Sequence, residues 1–182
     1  MKKLQIFIIL LVMVIGSIII NNTYKNKMSL VTKIDFSNQI KSFKIDKISL
    51  KDDSIGYIKI NKINLKNKLY SINNKKNTVD KNVTILKDSI FPNEKNSTMI
   101  IAAHSGTGNV AYFRNINKLE KGDKVNLKLY NHEYNYIVQN KWEVVKTGSI
   151  IFPIESKKQL VLTTCSPKKD NYQLIINCII KE

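Results

Sequence analysis

The sequence predicts a mainly β fold: a closed or nearly closed barrel of about eight short strands with short helices, preceded by an N-terminal transmembrane helix. From Ile55 onward, apolar and polar residues alternate through most of the chain, which is typical of half-buried strands. Turn-forming residues interrupt this alternation at short intervals, as in "SGTG" and "EKGD". In contrast, Leu4–Ile20 is an almost unbroken apolar run without charge. As a helix it would span roughly 25 Å, enough for a bilayer core.

The apolar run is interpreted as an uncleaved membrane anchor, with a cleaved signal peptide as the alternative. It is longer than the apolar part of a usual signal peptide, and no small-x-small cleavage site precedes Asn21. Lys2 and Lys3 favour a cytoplasmic N-terminus, whereas two lysines just beyond the run oppose that orientation. We therefore predict an anchor over residues 1–20, a tether over residues 21–53 and a folded domain over residues 54–182. Within the tether, mixed three- and four-residue steps of apolar residues predict an amphipathic helix over Ser29–Ile45.

The chain is strongly basic, with 30 Lys+Arg against 14 Asp+Glu and a formal net charge of +16. Such a charge is common among nucleic-acid-binding proteins. However, Arg114 is the single arginine, and the lysines form no stripe interleaved with aromatic residues on which bases would stack. Lysine, asparagine and isoleucine are all abundant, so much of the charge reflects a general compositional bias. We predict no nucleic-acid partner.

Two chemically reactive side chains stand where apolar runs stop. Cys165 ends "QLVLTTC" and His104 ends "TMIIAAH", and each is followed by residues that interrupt a strand. If these two strands are parallel neighbours, the thiol and the imidazole emerge at the same edge of the sheet. A histidine beside a cysteine favours the thiolate, which is the nucleophilic form. The pattern therefore predicts a cysteine–histidine pair.

Other interpretations of these residues stay open at this point. His104 and Cys165 can be unrelated residues at loop edges. A zinc site is disfavoured because two ligands without further nearby cysteine or histidine make a poor site, so we predict no metal and no cofactor. The second histidine, His132, lies between two strand-like runs and is expected in a solvent-facing turn. Cys178, inside "LIINCII", is expected to be a buried core residue.

Four segments, taken in order, resemble the sortases, the cysteine transpeptidases of the Gram-positive cell surface. They are "IGYIKINKINLKNKLY", "IIAAHSG", "YFRNINKLEKGDKV" and "LVLTTCSP", and "LVLTTC" is similar to the TLxTC motif of that family. The resemblance extends from about Ile55 to Ile180. It implies an eight-stranded sortase-like β-barrel and identifies residues 54–182 as a catalytic domain outside the cell, held by a single-pass anchor at the cell membrane.

The resemblance also implies a reaction. Cys165 would attack the Thr–Gly carbonyl of an LPxTG-like sorting signal on a surface protein, and His104 would protonate the leaving amine. The acyl group would pass to an amine acceptor, either a cell-wall precursor or a pilin lysine. Two alternatives are a cysteine hydrolase that releases peptides to water and an inactive wall-facing binding module.

At one position the sequence departs from the family pattern. Where the family has an arginine entering the last strand, this chain has Gln173. A glutamine amide can donate a hydrogen bond to a developing oxyanion, so we predict a working enzyme whose activity is altered at the oxyanion site. Lys168 or Lys169, in the adjoining turn, can supply the missing charge. Cys178 lies five residues beyond Gln173, roughly 17 Å farther along the strand and on its other face, so no disulfide with Cys165 is expected.

The substrate groove is expected beside the cysteine strand. In the family, the loop before that strand shapes the groove, and here the loop is Thr147–Lys158. It is short and apolar in its middle. We predict substrate contacts from Thr164 and from three residues of the loop: Ile150, Ile151 and Phe152. Ordinary barrel packing is the alternative for each of the three.

Overall fold

The computed structural model describes residues 53–181. Among these residues no helix combines the length and apolar character needed to cross a membrane. The anchor predicted over residues 1–20 and the helix predicted over Ser29–Ile45 lie outside the described residues. Within the described chain, Ile151–Ile154 belong to a separate compact unit from the remainder. This short segment has no regular secondary structure.

The predicted architecture is confirmed: the domain is mainly β, with eight strands in one sheet that forms a nearly closed barrel. Helical structure among residues 53–181 consists of two short 3-10 helices, Asn61–Ile63 and Ile116–Lys118. The strands are β1 (Gly56–Ile60), β2 (Leu65–Leu69), β3 (Thr84–Ile85), β4 (Thr98–Ala102), β5 (Lys124–Leu129), β6 (His132–Val145), β7 (Gln159–Cys165) and β8 (Tyr172–Ile180).

The strands follow the order β2-β1-β5-β6-β8-β7-β4-β3 across the sheet. Neighbouring strands are antiparallel except for β4 and β7, which run parallel with Ala102 opposite Thr163. This pairing confirms that the two strands leading to His104 and Cys165 are parallel neighbours. Strand β7 is buried from Gln159 to Thr164 and becomes exposed at Cys165. The sheet therefore supports the thiol rigidly and presents it at an edge.

The hairpin of β7 and β8 sets what faces the thiol. Cys165 pairs with Gln173, as expected from their positions on either side of the short turn. The turn is built by Ser166, whose hydroxyl oxygen accepts hydrogen bonds from the backbone N–H groups of Lys168 and Lys169 at 3.0 and 3.1 Å. Asn171 closes the turn in the left-handed region with φ of 59°, which asparagine adopts more readily than most residues.

The core consists of the inward-facing residues of the sheet and of the 3-10 segment. In β1 and β5 the buried positions alternate with solvent-facing ones, as the sequence pattern predicts. Tyr136, Phe113 and Leu160 are among the largest fully buried side chains. Cys178, on β8 opposite Leu160, is fully buried as well, which confirms its prediction as a core residue.

Strand β6 is long and irregular. Its pairing with β8 shifts register between Val138 and Asn140, which is the signature of a β-bulge. Beyond the bulge, Val144 pairs with Gln173. The backbone N–H of Lys146 then donates to the carbonyl of Asn171 at 2.9 Å, so the ladder continues past the end of the strand. This extension brings Lys146 to the edge where β7 ends.

Gly56 is expected to tolerate no side chain. A Cβ atom on Gly56 would lie 1.9 Å from the backbone carbonyl oxygen of Lys128, an atom fixed by the pairing of β1 with β5. Gly56→Ala should therefore lower the free energy of unfolding by at least about 2 kcal/mol, measured by urea denaturation. Gly108→Ala is the matched control, because a Cβ there meets nothing within 4 Å. Equal stability of the two variants would contradict the prediction.

Candidate active site

Two side-chain hydrogen bonds fasten the ends of β4 and β7 to each other. The Thr164 hydroxyl donates to the carbonyl of Ala103 at 2.6 Å, and the Ser105 hydroxyl donates to the carbonyl of Cys165 at 2.8 Å. Each strand end supplies one donor, and the two bonds lie on either side of His104 and end at Thr164 and at Cys165 itself. Hydrogen bonds of this kind contribute about 0.5–1.5 kcal/mol each, and here they also fix the relative position of the two strand ends.

His104 is tied to the core through its backbone. Its carbonyl accepts a hydrogen bond at 2.8 Å from the N–H of Phe113, whose side chain is fully buried. The imidazole itself is 44% exposed, so a substrate group can reach it. Its Nε2 atom lies 3.5 Å from Oδ1 of Asp80, a carboxylate that the sequence analysis did not single out. Asp80 can orient the ring, as the third group of a catalytic triad does.

Cys165 is a free and exposed thiol. Its closest polar partner is a second residue that the sequence analysis missed: Nζ of Lys146 lies 3.0 Å from Sγ. A cation at this distance favours the thiolate over the thiol. In the sheet, β7 has β4, which leads to His104, on one side, and on the other side β8 separates it from β6, which is followed directly by Lys146.

Gln173 faces Cys165 across the hairpin, but its amide is engaged elsewhere. Its Nε2 atom donates to the carbonyl of Ser149 at 2.9 Å, which fastens the segment after β6 to β8. Lys169 lies 3.8 Å from Glu143 and stacks over the ring of Tyr172. Within residues 53–181, the cation in contact with the sulfur is thus that of Lys146, which belongs to neither position expected from the sequence.

The model of the Sortase domain family matches residues 58–180 of the chain, which is more than half of its length. The chain belongs to the sortase family. The match covers all eight strands except the first two residues of β1, and it includes both His104 and Cys165. It confirms the resemblance that the sequence motifs indicate.

Relatives of this sortase include several types within the family. Sortase D of Bacillus subtilis (strain 168) is 38% identical over 90 residues, which are 49% of this chain and 43% of that protein. The chain therefore matches less than half of this curated relative. The crystal structure of sortase C1 from Streptococcus agalactiae has a TM-score of 0.62 at 26% identity, and the alignment covers 74% of this chain and 71% of that one. A lid mutant of sortase A from Corynebacterium diphtheriae has a TM-score of 0.61 at 21% identity, covering 74% and 73%, which shows a shared fold.

The single arginine of this sortase stabilises the loop after His104. The Arg114 guanidinium donates to the carbonyl of Gly106 at 3.2 Å through Nε and to the carbonyls of Thr107 and Gly108 through Nη2, at 2.6 and 3.0 Å. An arginine presents several donors in a fixed plane, so one side chain can hold three successive carbonyls. Arg114 therefore shapes the loop that borders His104, and the three bonds of its guanidinium go to that loop rather than to Cys165.

The four residues predicted to contact substrate differ in their exposure. Thr164 is buried and its hydroxyl is engaged with Ala103, so its side chain fastens the strand ends. Ile150 is half-buried. In the separate unit, Ile151 is half-buried and Phe152 is buried, whereas Ile154 is 61% exposed. Contacts of Thr164, Ile150, Ile151 and Phe152 with a substrate stay a prediction.

The two cysteines of this sortase should react at very different rates. Burial raises the pKa of the Cys178 thiol, and the same burial keeps reagents away from it, whereas Cys165 is exposed beside a cation. Iodoacetamide should add one group to the native protein and two groups in urea, counted by intact mass. Peptide mapping should place the native adduct on Cys165. A native adduct on Cys178 would contradict this expectation.

Proposed function

We propose that this sortase is a membrane-anchored cysteine transpeptidase that cleaves an LPxTG-like sorting signal and transfers the surface protein to an amine acceptor. The observation that carries the proposal is the parallel pairing of β4 with β7. It places His104 and Cys165 just past paired residues at one edge of a rigid sheet, and two hydrogen bonds keep the strand ends together. An exposed nucleophile and an exposed acid–base group at neighbouring strand ends support a role in acyl transfer.

In the first half of the reaction, the Cys165 thiolate attacks the carbonyl carbon of the Thr–Gly bond. The C–S bond forms and the carbonyl oxygen takes up negative charge. As the carbonyl re-forms, the C–N bond breaks and the leaving amine receives a proton from the His104 imidazolium. The products are a thioester on Cys165, a neutral imidazole and the released C-terminal peptide.

In the second half, an amine attacks the thioester carbon. Its surplus proton goes to the His104 imidazole, the C–S bond breaks, and the thiolate and the imidazolium are both restored. One amide has been exchanged for another, so the cycle needs neither ATP nor a metal ion. His104 acts once as acid and once as base, a role for which a histidine is well suited near neutral pH.

The predicted N-terminal segment completes the proposal. Residues 1–20 would hold the enzyme in the cell membrane with the catalytic domain outside. Surface proteins that carry a sorting signal would be the substrates, and a cell-wall precursor or a pilin lysine would supply the amine. These assignments follow from the apolar run, its flanking charges and the family resemblance.

The decisive experiment mixes the full chain, kept in mild detergent, with LPxTG-type peptides and follows the protein by intact mass. A transpeptidase should gain the mass of the N-terminal part of the peptide and lose it again when an amine is added. The new peptide should then carry the amine. Oligoglycine and a lysine-bearing peptide, offered in competition, would identify the preferred acceptor.

Other outcomes would replace the proposal. Release of the cleaved peptide with a free carboxylate, whatever amine is present, would identify a cysteine hydrolase. Binding of the peptide without an adduct or cleavage would identify an inactive module.

A further inference from the structure

The position of Lys146 follows from the register of three adjacent strands. Cys165 on β7 pairs with Gln173 on β8, and Gln173 pairs with Val144 on β6. Directly opposed residues carry their side chains on the same face of a sheet, and successive side chains of a strand alternate between faces. Lys146 lies two residues beyond Val144 and therefore shares the face of Cys165. The shared face allows the long lysine side chain to reach the thiol, and Nζ lies 3.0 Å from Sγ.

The charged groups around this contact have other partners. Glu143, on β6, bonds to the Ser166 hydroxyl and lies 3.8 Å from Lys169. On the opposite side, Asp80 lies beside His104. Within residues 53–181, the Lys146 ammonium contacts the Cys165 sulfur and forms no ion pair with a carboxylate. The lysine is thus available to neutralise a negative charge on the sulfur.

Gln173, on the strand between β6 and β7, does not compete with Lys146 for contact with the Cys165 sulfur. Gln173 separates Cys165 from β6 in the sheet, and its amide nitrogen donates to the Ser149 carbonyl. That bond anchors the segment that directly follows Lys146. Gln173 therefore holds the segment in place, and Lys146 presents the positive charge to the sulfur.

We propose that Lys146 is a catalytic residue of this enzyme, which supplies from the end of β6 the cation that stabilises the Cys165 thiolate. The lysine ammonium is a compact charge on a flexible four-carbon chain, so it can stay close to the sulfur as the thiolate forms. This inference rests on the proposed function only for its role in turnover, because the stabilisation of the thiolate is a property of the free enzyme.

The test measures the rate at which iodoacetamide, a neutral reagent, alkylates Cys165 in the full chain. At neutral pH, Lys146→Met should slow alkylation by about tenfold, the lower range for the loss of a hydrogen bond to a charged group. Lys146→Arg should retain most of the rate because it keeps the charge. In alkaline solution the difference between the variants should shrink, since the thiol ionises there without assistance. Far-UV circular dichroism should confirm that each variant is folded.

Lys168→Met is the matched control, because it removes one positive charge three residues from Cys165, whereas the lysine that contacts the sulfur is Lys146. It should change the alkylation rate by less than about twofold, as expected for an exposed charge acting through solvent. If Lys168→Met slows alkylation as much as Lys146→Met does, the effect is one of general charge and the proposal is overturned.

A rescue variant tests whether the position of the cation matters. Gln173→Arg places a guanidinium directly opposite Cys165, within reach of the sulfur across the hairpin. In the Lys146→Met background it should restore most of the lost alkylation rate. In the wild-type background it should bring no gain, because the charge is already supplied and the Gln173 bond that holds the segment after Lys146 is lost. Equal gains in both backgrounds would show that the two sites are independent and would overturn the proposal.

Failure of the inference differs from failure of the proposed function. An unchanged alkylation rate in Lys146→Met overturns the role of Lys146, whether or not any sorting peptide is cleaved. A slowed alkylation rate, in a protein that forms no adduct with any sorting peptide, overturns the transpeptidase while the role of Lys146 stands. When both activities are present, adduct formation should fall in Lys146→Met in parallel with alkylation.

Discussion

Cys165→Ala should form no acyl adduct with a sorting peptide and should lose at least about 10⁴-fold in turnover, because no other group within the site can form the thioester. Cys165 is the exposed thiol of the pair, and its substitution removes one sulfur atom from the surface of the sheet. The core is not touched, so the thermal midpoint should stay close to that of the wild type. Intact mass spectrometry and a fluorescent cleavage assay provide the two readouts.

Cys178→Ala is the matched control for this substitution. It removes the other thiol, which is buried between β6 and β7. A cavity of that size should reduce stability by about 1 kcal/mol or more without abolishing the adduct. Turnover that survives in Cys165→Ala, or an adduct that disappears in Cys178→Ala, would show that Cys165 is not the nucleophile.

His104→Gln should reduce turnover of an amide substrate by about 10²–10⁴-fold, the usual contribution of a general acid–base residue. Glutamine keeps hydrogen-bonding capacity but cannot carry the proton between the two amines. The loss should be smaller for an ester of the same peptide with a good leaving group, because that group departs without protonation. A comparison of amide and ester kinetics therefore separates an acid–base role from a structural one.

His132→Gln is the control that the chain itself offers. His132 is exposed, as predicted, but it is the first residue of β6 and not part of the Tyr130–Asn131 turn that precedes it. Its replacement should leave both substrates unaffected. An equal loss with amide and ester in His104→Gln would indicate that the imidazole only supports the loop after β4.

The sequence predicts those parts of the site that lie at the ends of strands or on either side of a short turn. The apolar runs that stop at His104 and Cys165 indicate two strand tips, and the parallel pairing of β4 with β7 confirms that they share an edge. A short turn links Cys165 to Gln173, so little freedom remains in how they face each other. The burial of Cys178 was also predictable, because a residue inside an apolar run is expected to lie in the core.

Lys146 was not predictable, because its place depends on a bulge. The register shift between Val138 and Asn140 reverses which alternate residues of β6 face the site. Nothing in "YNYIVQNKWEVVK" marks the position of that shift. Without it, a count along β6 from either end assigns the wrong face. Among many lysines, the one that reaches the sulfur is recognised only when the pairing with β8 is known.

Asp80 was missed for a different reason. It lies in the irregular segment between β2 and β3, where neither periodicity nor turn chemistry relates a residue to a distant strand. A single carboxylate in a polar loop carries no signal of its partner. The same holds for the carbonyls that Arg114 binds, since backbone acceptors leave no trace in the sequence.

The order of strands has a consequence for how the enzyme acquires activity as it folds. Strands β1 and β2, and likewise β5 and β6, are close in the chain, so we expect them to pair early. In contrast, β4 must find β7 across an intervening stretch of about sixty residues. The reactive edge is created by this slow, long-range step rather than by any local hairpin. We expect a chain trapped before this step to have most of its secondary structure but not to have His104 beside the end of β7, so regained turnover would report completion of the sheet.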